Sequence, residues 1–327
     1  MSKPLSLESE HPSILITGGA GFIGQNLINH LSKSMPMLLL YRRRIPDVGS
    51  NVYSVYSDLQ SREQFIGFLR NIDTVVHLAW DRSFFGSYER IRNNKPEKIT
   101  ENISALRNMI AAMEYTKTKR IIFLSAIGAE KNSKNPFLQE KYQAEHEILN
   151  SSIPEKIIIR ASMVFDGSIS GGKFVNSIRR LMKLPGLYPI PRNRSKMSPL
   201  HVDDLCMVIK KVIHFKMSDS ASVLDVAGHE VYRIDELLKM VSDNLQEYRL
   251  PLGSLLGDFL ISIIERDSEK KEESIPRLKS FLGLGQCSGD AIKNKNPLAE
   301  VLPPNMKSFK EHLFQVAEIS SSSRDRV

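Results

Sequence analysis

The chain has 327 residues, of which 41% are hydrophobic and 25% charged, so it has enough apolar material for a globular core. Its two cysteines are too few for a disulfide framework, and no segment has the length and apolarity of a membrane span. The net charge of +8 at pH 7 suits a phosphate-bearing ligand, but no basic cluster is interleaved with aromatic residues as in nucleic-acid grooves. We therefore expect a cytoplasmic protein that binds a small molecule and not nucleic acid.

Short apolar runs alternate with helical patterns through the first half of the chain. The predicted strands are Ser13–Thr17, Met37–Tyr41, Asn51–Asp58, Thr74–Ala79, Lys119–Ala126 and Lys156–Ala161. Apolar strands that alternate with helices form right-handed βαβ units. The pattern predicts an α/β fold with a doubly wound parallel sheet of the Rossmann type.

A glycine-rich turn follows the first strand and opens the first predicted helix. Gly18, Gly21 and Gly24 have the spacing G-x-x-G-x-x-G, which permits a tight turn and brings the backbone close to a pyrophosphate. The free N–H groups at the start of the helix attract phosphate. We expect this turn, with Phe22 and Ile23, to bind a dinucleotide.

The end of the second strand predicts which dinucleotide binds. A carboxylate at this place would accept a hydrogen bond from the ribose 2′-hydroxyl of NAD, but here Arg42 and Arg43 follow the strand. A guanidinium group suits a 2′-phosphate through charge-assisted, bidentate hydrogen bonds. The sequence therefore favours NADP(H) over NAD(H), although these arginines could also be ordinary surface residues at the end of a strand.

The rhythm of strands and helices changes after about Ala161, where proline and glycine cluster before further helices and one more strand, "SVLDVA". We predict a smaller C-terminal lobe that covers the carboxyl edge of the sheet and binds substrate. The predicted division is a flexible N-terminus (1–12), a dinucleotide-binding core (13–165), a mixed substrate-binding lobe with segments returning to the core (166–317) and a disordered tail (318–327).

Taken together, the motifs resemble the short-chain dehydrogenase/reductase superfamily, and within it the extended branch, the NAD-dependent epimerase/dehydratase family. The matching pieces are "TGGAGFIG", "SDL", "DTVVHLAW", "ENISALRNMIAAM", "FLSA", the helix that carries Lys141, "IIIRASMVFDG" and "SPLHVDDL". They cover nearly the whole chain. Since the family acts largely on nucleotide sugars, the resemblance implies such a substrate or a related small carbonyl compound.

The resemblance also implies roles for single residues along the cofactor. It places Asp58 and Leu59 beside the adenine, Leu78 and Ala79 along the dinucleotide, and Lys141 at the hydroxyls of the nicotinamide ribose.

Further residues are expected nearer to the substrate. Ser125 would deliver a hydroxyl group to the reacting centre as a catalytic residue, together with Lys141. The candidate substrate-binding residues are Trp80, Tyr88, Arg192 and Arg194. No metal-ligand spacing is visible in the sequence.

The catalytic tyrosine that the resemblance requires is absent. In the superfamily it stands four residues before the lysine, so that both side chains share one helix face, but here that position is Phe137. The second hydroxyl residue that relatives carry next to the serine is Ala126. Tyr115 and Lys119 have the correct spacing, but they precede the fifth strand, away from the edge that binds the cofactor.

Two functions therefore remain open. The favoured one is an atypical NADP(H)-binding oxidoreductase or epimerase-like enzyme that acts on a nucleotide sugar or related carbonyl compound. The alternative is a catalytically inactive NAD(P)-binding protein with a regulatory, assembly or structural role. A homodimer formed through two long helices, at about residues 99–114 and 137–149, is a further expectation.

Overall fold

We describe the fold from a computed structural model. The described residues are 12–32, 35–42, 51–80, 101–133, 135–166, 187–189, 196–244, 250–252 and 300–311. The predictions for Arg43, Tyr88, Arg192 and Arg194 lie outside these residues, as does the predicted tail at 318–327.

Strands and helices alternate along the described chain. The strands are β1 (Ile14–Thr17), β2 (Met37–Tyr41), β3 (Val52–Tyr56), β4 (Thr74–His77), β5 (Arg120–Ala126), β6 (Glu155–Ala161), β7 (Val164–Phe165), β8 (Leu187–Pro189), β9 (Lys196–Met197), β10 (Leu200–His201), β11 (Ala221–Val226), β12 (Tyr232–Arg233) and β13 (Leu250–Leu252). The helices are α1 (Phe22–Leu31), α2 (Arg62–Phe68), α3 (Glu101–Thr116), α4 (Pro136–Leu149), α5 (Val202–His214) and α6 (Ile234–Asn244).

The main sheet of the described chain has seven parallel strands in the order β11-β6-β5-β4-β1-β2-β3. Its central strands are buried on both faces, which explains why they read as unbroken apolar runs in the sequence. The strand order reverses between β1 and β4. In a doubly wound sheet this reversal opens a crevice at the carboxyl ends of those two strands, where ligands bind.

Helices cover both faces of this sheet. On one face α1 and α5 contribute to a core cluster that includes Leu27 and Val208, and on the other face α2, α3 and α4 contribute to a second cluster that includes Phe65, Leu106 and Ile148. The predicted doubly wound α/β fold is confirmed.

The second half of the chain completes the sheet. Strand β11, the predicted "SVLDVA", pairs in parallel with β6, and α5 packs against α1. Three short two-stranded ladders, β7 with β10, β9 with β12 and β8 with β13, lie outside the main sheet. The predicted domain boundaries stay a prediction. No helix in the described part of the chain is long and apolar enough to cross a membrane.

Candidate functional site

The first glycine of the turn lies where the backbone after β1 meets the backbone after β4. Gly18 has a φ of +75°, and a Cβ atom added there would lie 2.6 Å from the amide nitrogen of Ala79 and 2.8 Å from the carbonyl carbon of Leu78. A side chain at this position would therefore meet both an unfavourable backbone angle and fixed backbone atoms. The turn, Leu78 and Ala79 thus come together at the crevice.

The start of α1 is built for close approach of a ligand. A Cβ atom on Gly24 would lie 2.4 Å from the carbonyl oxygen of Gly18, so glycine is required where the helix packs on the turn. Gly21 is the N-cap in an extended conformation, and no described side chain caps this helix start. Phe22 and Ile23 follow as half-buried residues. Uncapped N–H groups at a helix start suit a phosphate group.

The predicted adenosine-binding residues follow two neighbouring strand ends. Arg42 is exposed directly after β2, while Asp58 and Leu59 come two and three residues after the end of β3. The Asp58 carboxylate accepts a hydrogen bond from the backbone N–H of Gln60, and Leu59 has a φ of +65°. Because β2 and β3 pair in parallel, these residues lie at the carboxyl edge of the sheet, the edge at which the glycine turn follows β1.

Lys141 of α4 is buried under aromatic rings. Its side-chain amine donates a hydrogen bond to the carbonyl oxygen of Leu124 at 2.8 Å. The same Nζ atom lies 3.8 Å from the centre of the Trp80 ring, 4.5 Å from that of Phe123 and 5.7 Å from that of Phe137. Only 5% of the residue is exposed. The structure thus brings Lys141 and Phe137 together, and it adds two rings that contact the amine.

Trp80 is fixed from its other edge by a carboxylate. Its indole N–H donates a hydrogen bond to Glu140 at 2.9 Å, and the Asn102 side chain donates to the same carboxylate. Glu140 is itself buried. The single tryptophan of the sequence therefore lies between a buried carboxylate and a buried ammonium group.

His77, at the end of β4, is held as a neutral side chain. Burial, and to a lesser degree the charge of Lys141, lower its pKa from 6.5 to about 3. Its Nδ1 atom lies 2.7 Å from the hydroxyl of Thr17, and its ring stacks on Phe123. A group with this pKa does not act as an acid near neutral pH.

The Ser125 hydroxyl is directed to a buried ion pair. It donates a hydrogen bond to Glu145 of α4, and the guanidinium group of Arg160 on β6 binds the same carboxylate through two nitrogens. The hydrogen bond between Arg160 and Glu145 raises the pKa of the Arg160 guanidinium group above its ordinary value. The arrangement ties α4 to β5 and β6. The catalytic role of Ser125 stays a prediction.

Sequence reasoning missed Glu140, Glu145 and Arg160, although two of them carried a signal. Glu145 stands four residues after Lys141, so both share the helix face that meets the sheet. Arg160 interrupts an apolar strand, and a charged residue at such a place requires a partner. Glu140 has no comparable signal, because its partner Trp80 is 60 residues away in sequence.

Phe137 stands at the position where the resemblance predicts a tyrosine. Asn135 caps α4 by accepting a hydrogen bond from the N–H of Phe137, which therefore lies in the first turn of the helix. Tyr142 is hydrogen-bonded to His146 on the exposed side of the helix. Tyr115 is 67% exposed at the far end of α3, and Lys119 pairs with Asp73 at the amino end of β5. Neither tyrosine replaces the missing group.

A doubly wound sheet with a glycine turn at the reversal of strand order defines a dinucleotide-binding protein. Residues 14–150 match the model of the "NAD dependent epimerase/dehydratase family". This part of the chain is thus similar to that family, and the resemblance predicted from the sequence is confirmed over these residues.

Two curated relatives have names that describe different functions, a subunit of NADH dehydrogenase and a 4-epimerase. The chain is 23% identical over 264 residues to "NADH dehydrogenase [ubiquinone] 1 alpha subcomplex subunit 9, mitochondrial" of Dictyostelium discoideum, covering 78% of this chain and 70% of the relative. It is also 23% identical over 324 residues to an N-acetyl-alpha-D-glucosaminyl-diphospho-ditrans,octacis-undecaprenol 4-epimerase of Escherichia coli O157:H7, covering 88% of this chain and 90% of the relative.

Solved structures share the fold. A nucleoside-diphosphate-sugar epimerase from Staphylococcus aureus superposes with a TM-score of 0.68 at 15% identity, covering 92% of this chain and 99% of that chain. MoeE5, solved in complex with UDP-glucuronic acid and NAD, gives a TM-score of 0.60 at 21% identity, covering 74% of this chain and 85% of that chain.

Proposed function

We propose that the protein binds a nicotinamide dinucleotide at the glycine turn and holds it without the tyrosine-dependent proton transfer of its superfamily. One observation carries this proposal. Phe137 stands four residues before Lys141, and the Lys141 amine is engaged by the Leu124 carbonyl and the Trp80 ring. These contacts support a site that binds the dinucleotide but lacks the hydroxyl group that the resemblance predicts at position 137.

The loss is large in energetic terms. A positioned general acid contributes about 10²–10⁴ in rate, equivalent to roughly 3–5 kcal/mol of activation free energy. Among the described residues, two polar side chains that could be considered as substitutes already have hydrogen-bond partners. Ser125 donates to Glu145, and His77 is neutral and bonded to Thr17. We infer that the bound nucleotide serves a regulatory, assembly or structural role, which agrees with the likeness to a protein named as a subunit of NADH dehydrogenase [ubiquinone].

We propose NADP(H) as the nucleotide. Arg42 follows β2 as an exposed residue, at the place where a 2′-phosphate is expected, and the first carboxylate after the strand in the sequence is Asp47. The test compares NADPH and NADH affinity in the wild type and in Arg42→Ala. We expect tighter NADPH binding in the wild type, and loss of that preference in the variant. Tighter binding of NADH by the wild type would contradict the preference.

The second candidate function is that of an atypical oxidoreductase or epimerase acting on a nucleotide sugar. It is favoured by the fold shared with nucleotide-sugar epimerases and by the relative that is a sugar 4-epimerase. In this case Lys141 would be the remaining polar group near the reacting carbon. The cytoplasmic location and the homodimer stay predictions.

One experiment separates the two candidates. Purified protein is saturated with NADPH or NADP⁺ and incubated with a panel of UDP- and dTDP-sugars, while nucleotide absorbance at 340 nm and sugar identity are followed. We expect one nucleotide bound per chain and no turnover. Turnover that is lost in Lys141→Met would establish the enzyme. The matched control is Lys156→Met, since Lys156 is also buried and donates to a carbonyl group, that of Ser151, at the opposite end of the sheet.

A further inference from the structure

The Trp80 ring lies between two buried charges of neighbouring residues in α4. Its indole N–H is bonded to the Glu140 carboxylate, and its face is covered by the Lys141 ammonium group. A hydrogen bond to the carboxylate fixes the plane of the ring, and the ring plane determines whether the π face meets the amine. The orientation of the Trp80 ring, and with it the contact between the ring and Lys141, therefore depends on the hydrogen bond to Glu140.

The contacts of Lys141 draw it towards the sheet. The Leu124 carbonyl that accepts its proton belongs to β5, and Phe123 of the same strand lies on a second side of the amine. Asn102 of α3 holds the Glu140 carboxylate in place. Residues of α3, α4 and β5, and Trp80 after β4, thus all contribute to the position of the Lys141 amine. An ammonium group held in this way is desolvated and already has favourable electrostatic partners.

We propose that Trp80 and Glu140 are positioning residues that hold the Lys141 ammonium against β5, so that Lys141 supports the wall of the site and does not bind the dinucleotide. The inference rests on the proposed function and deepens it. In the resemblance-based prediction Lys141 binds the nicotinamide ribose. Here the dinucleotide is held by the glycine turn and the strand ends, and Lys141 contributes nothing to its affinity.

A consequence concerns restoration of the missing hydroxyl group. In the superfamily the charge of the lysine lowers the pKa of the tyrosine. In this chain the Trp80 ring lies nearer to the Lys141 amine than the Phe137 ring does, at 3.8 Å against 5.7 Å between Nζ and each ring centre. Phe137→Tyr alone is therefore expected to give less than a tenfold gain in any sugar oxidation.

The experiment measures nucleotide affinity and Trp80 fluorescence in the same samples. Lys141→Met is compared with wild type and with Lys156→Met, each without nucleotide and saturated with NADP⁺. Because Trp80 is the single tryptophan, its emission reports on the amine above it. We expect Lys141→Met to shift the emission equally with and without nucleotide, to keep the Kd for NADP⁺ within threefold of wild type, and Lys156→Met to leave the emission unchanged.

Two further variants test the role of Glu140. Glu140→Gln keeps an oxygen acceptor for the indole N–H and should retain the wild-type emission. Glu140→Ala releases the ring, so adding Lys141→Met to Glu140→Ala should cause no further change in emission. If Glu140→Ala does not fold, Lys141→Met and Glu140→Gln decide the matter.

The outcomes are distinguishable. A Kd raised tenfold or more in Lys141→Met, or an emission shift that disappears when wild type binds NADP⁺, overturns this inference and leaves the proposed function standing. Folded wild type that binds no nicotinamide nucleotide overturns both.

Discussion

At the scale of single residues, the glycine turn depends on the absence of side chains. Gly18→Ala places a Cβ atom 2.6 Å from the Ala79 amide nitrogen at a φ of +75°. We expect a loss of more than about 2 kcal/mol in the free energy of unfolding, together with at least a tenfold loss of dinucleotide affinity. Urea unfolding and calorimetric titration measure the two effects.

The matched control is Gly67→Ala in α2. A Cβ atom there meets nothing within 4 Å, and alanine favours a helix over glycine. This variant should gain about 0.5–1 kcal/mol in stability and bind nucleotide normally. Equal behaviour of the two variants would show that the turn is not constrained as the structure indicates.

His77 gives a prediction for the dependence of stability on pH. Its pKa is about 3 in the folded protein and 6.5 when unperturbed, so below pH 6.5 the unfolded chain takes up a proton that the folded protein does not. Its contribution to stability is therefore present above pH 6.5 and is lost as the pH falls towards about 3. We expect a slope of up to about 1.4 kcal/mol per pH unit from this residue.

The measurement is the free energy of unfolding of wild type and His77→Asn between pH 7 and pH 5. The wild type should lose stability more steeply than the variant as the pH falls. Parallel curves would mean that His77 titrates normally in the folded protein.

At the scale of elements, a buried arginine joins α5 to the sheet. Arg120, the first residue of β5, donates to the carbonyl groups of Val212 and Ile213 in the last turn of α5 and to that of Phe215, the C-cap residue. It also pairs with Glu155 at the start of β6. The planar guanidinium group satisfies carbonyl groups that a helix end leaves without intrahelical partners.

Arg120→Lys should therefore destabilise the protein by about 2–4 kcal/mol, because an ammonium group cannot reach all of these acceptors. Denaturant unfolding measures the change. The neighbouring Lys119→Met removes an exposed ion pair with Asp73 and should leave the free energy of unfolding close to that of the wild type. A similar small loss for Arg120→Lys would contradict the proposed role of the arginine in holding α5.

The same elements show what sequence could predict. The strands can be predicted from the sequence because buried parallel strands are continuous apolar runs, and the turn can be predicted because only glycine fits at Gly18 and Gly24. The contacts of Trp80 could not be predicted from the sequence, since they depend on how α4 packs against the segment that follows β4. A lysine in a known motif gave no sign that its amine would face β5 and an indole ring.

At the scale of the whole molecule, one sheet organises both halves of the chain. The β1–β4 crevice holds the glycine turn, and the lysine helix lies over β5 and β6 beyond it. The chain shares its fold with solved nucleotide-sugar epimerases, and Phe137 stands where the resemblance predicts the acid. We expect such a protein to keep its dinucleotide bound without turning it over.

The most direct test of this account is a calorimetric titration of folded wild-type protein with NADPH. We expect saturable binding of one nucleotide per chain with a Kd in the micromolar range or below. Absence of binding heat at several temperatures, from protein whose folding is verified in the same sample, would contradict it.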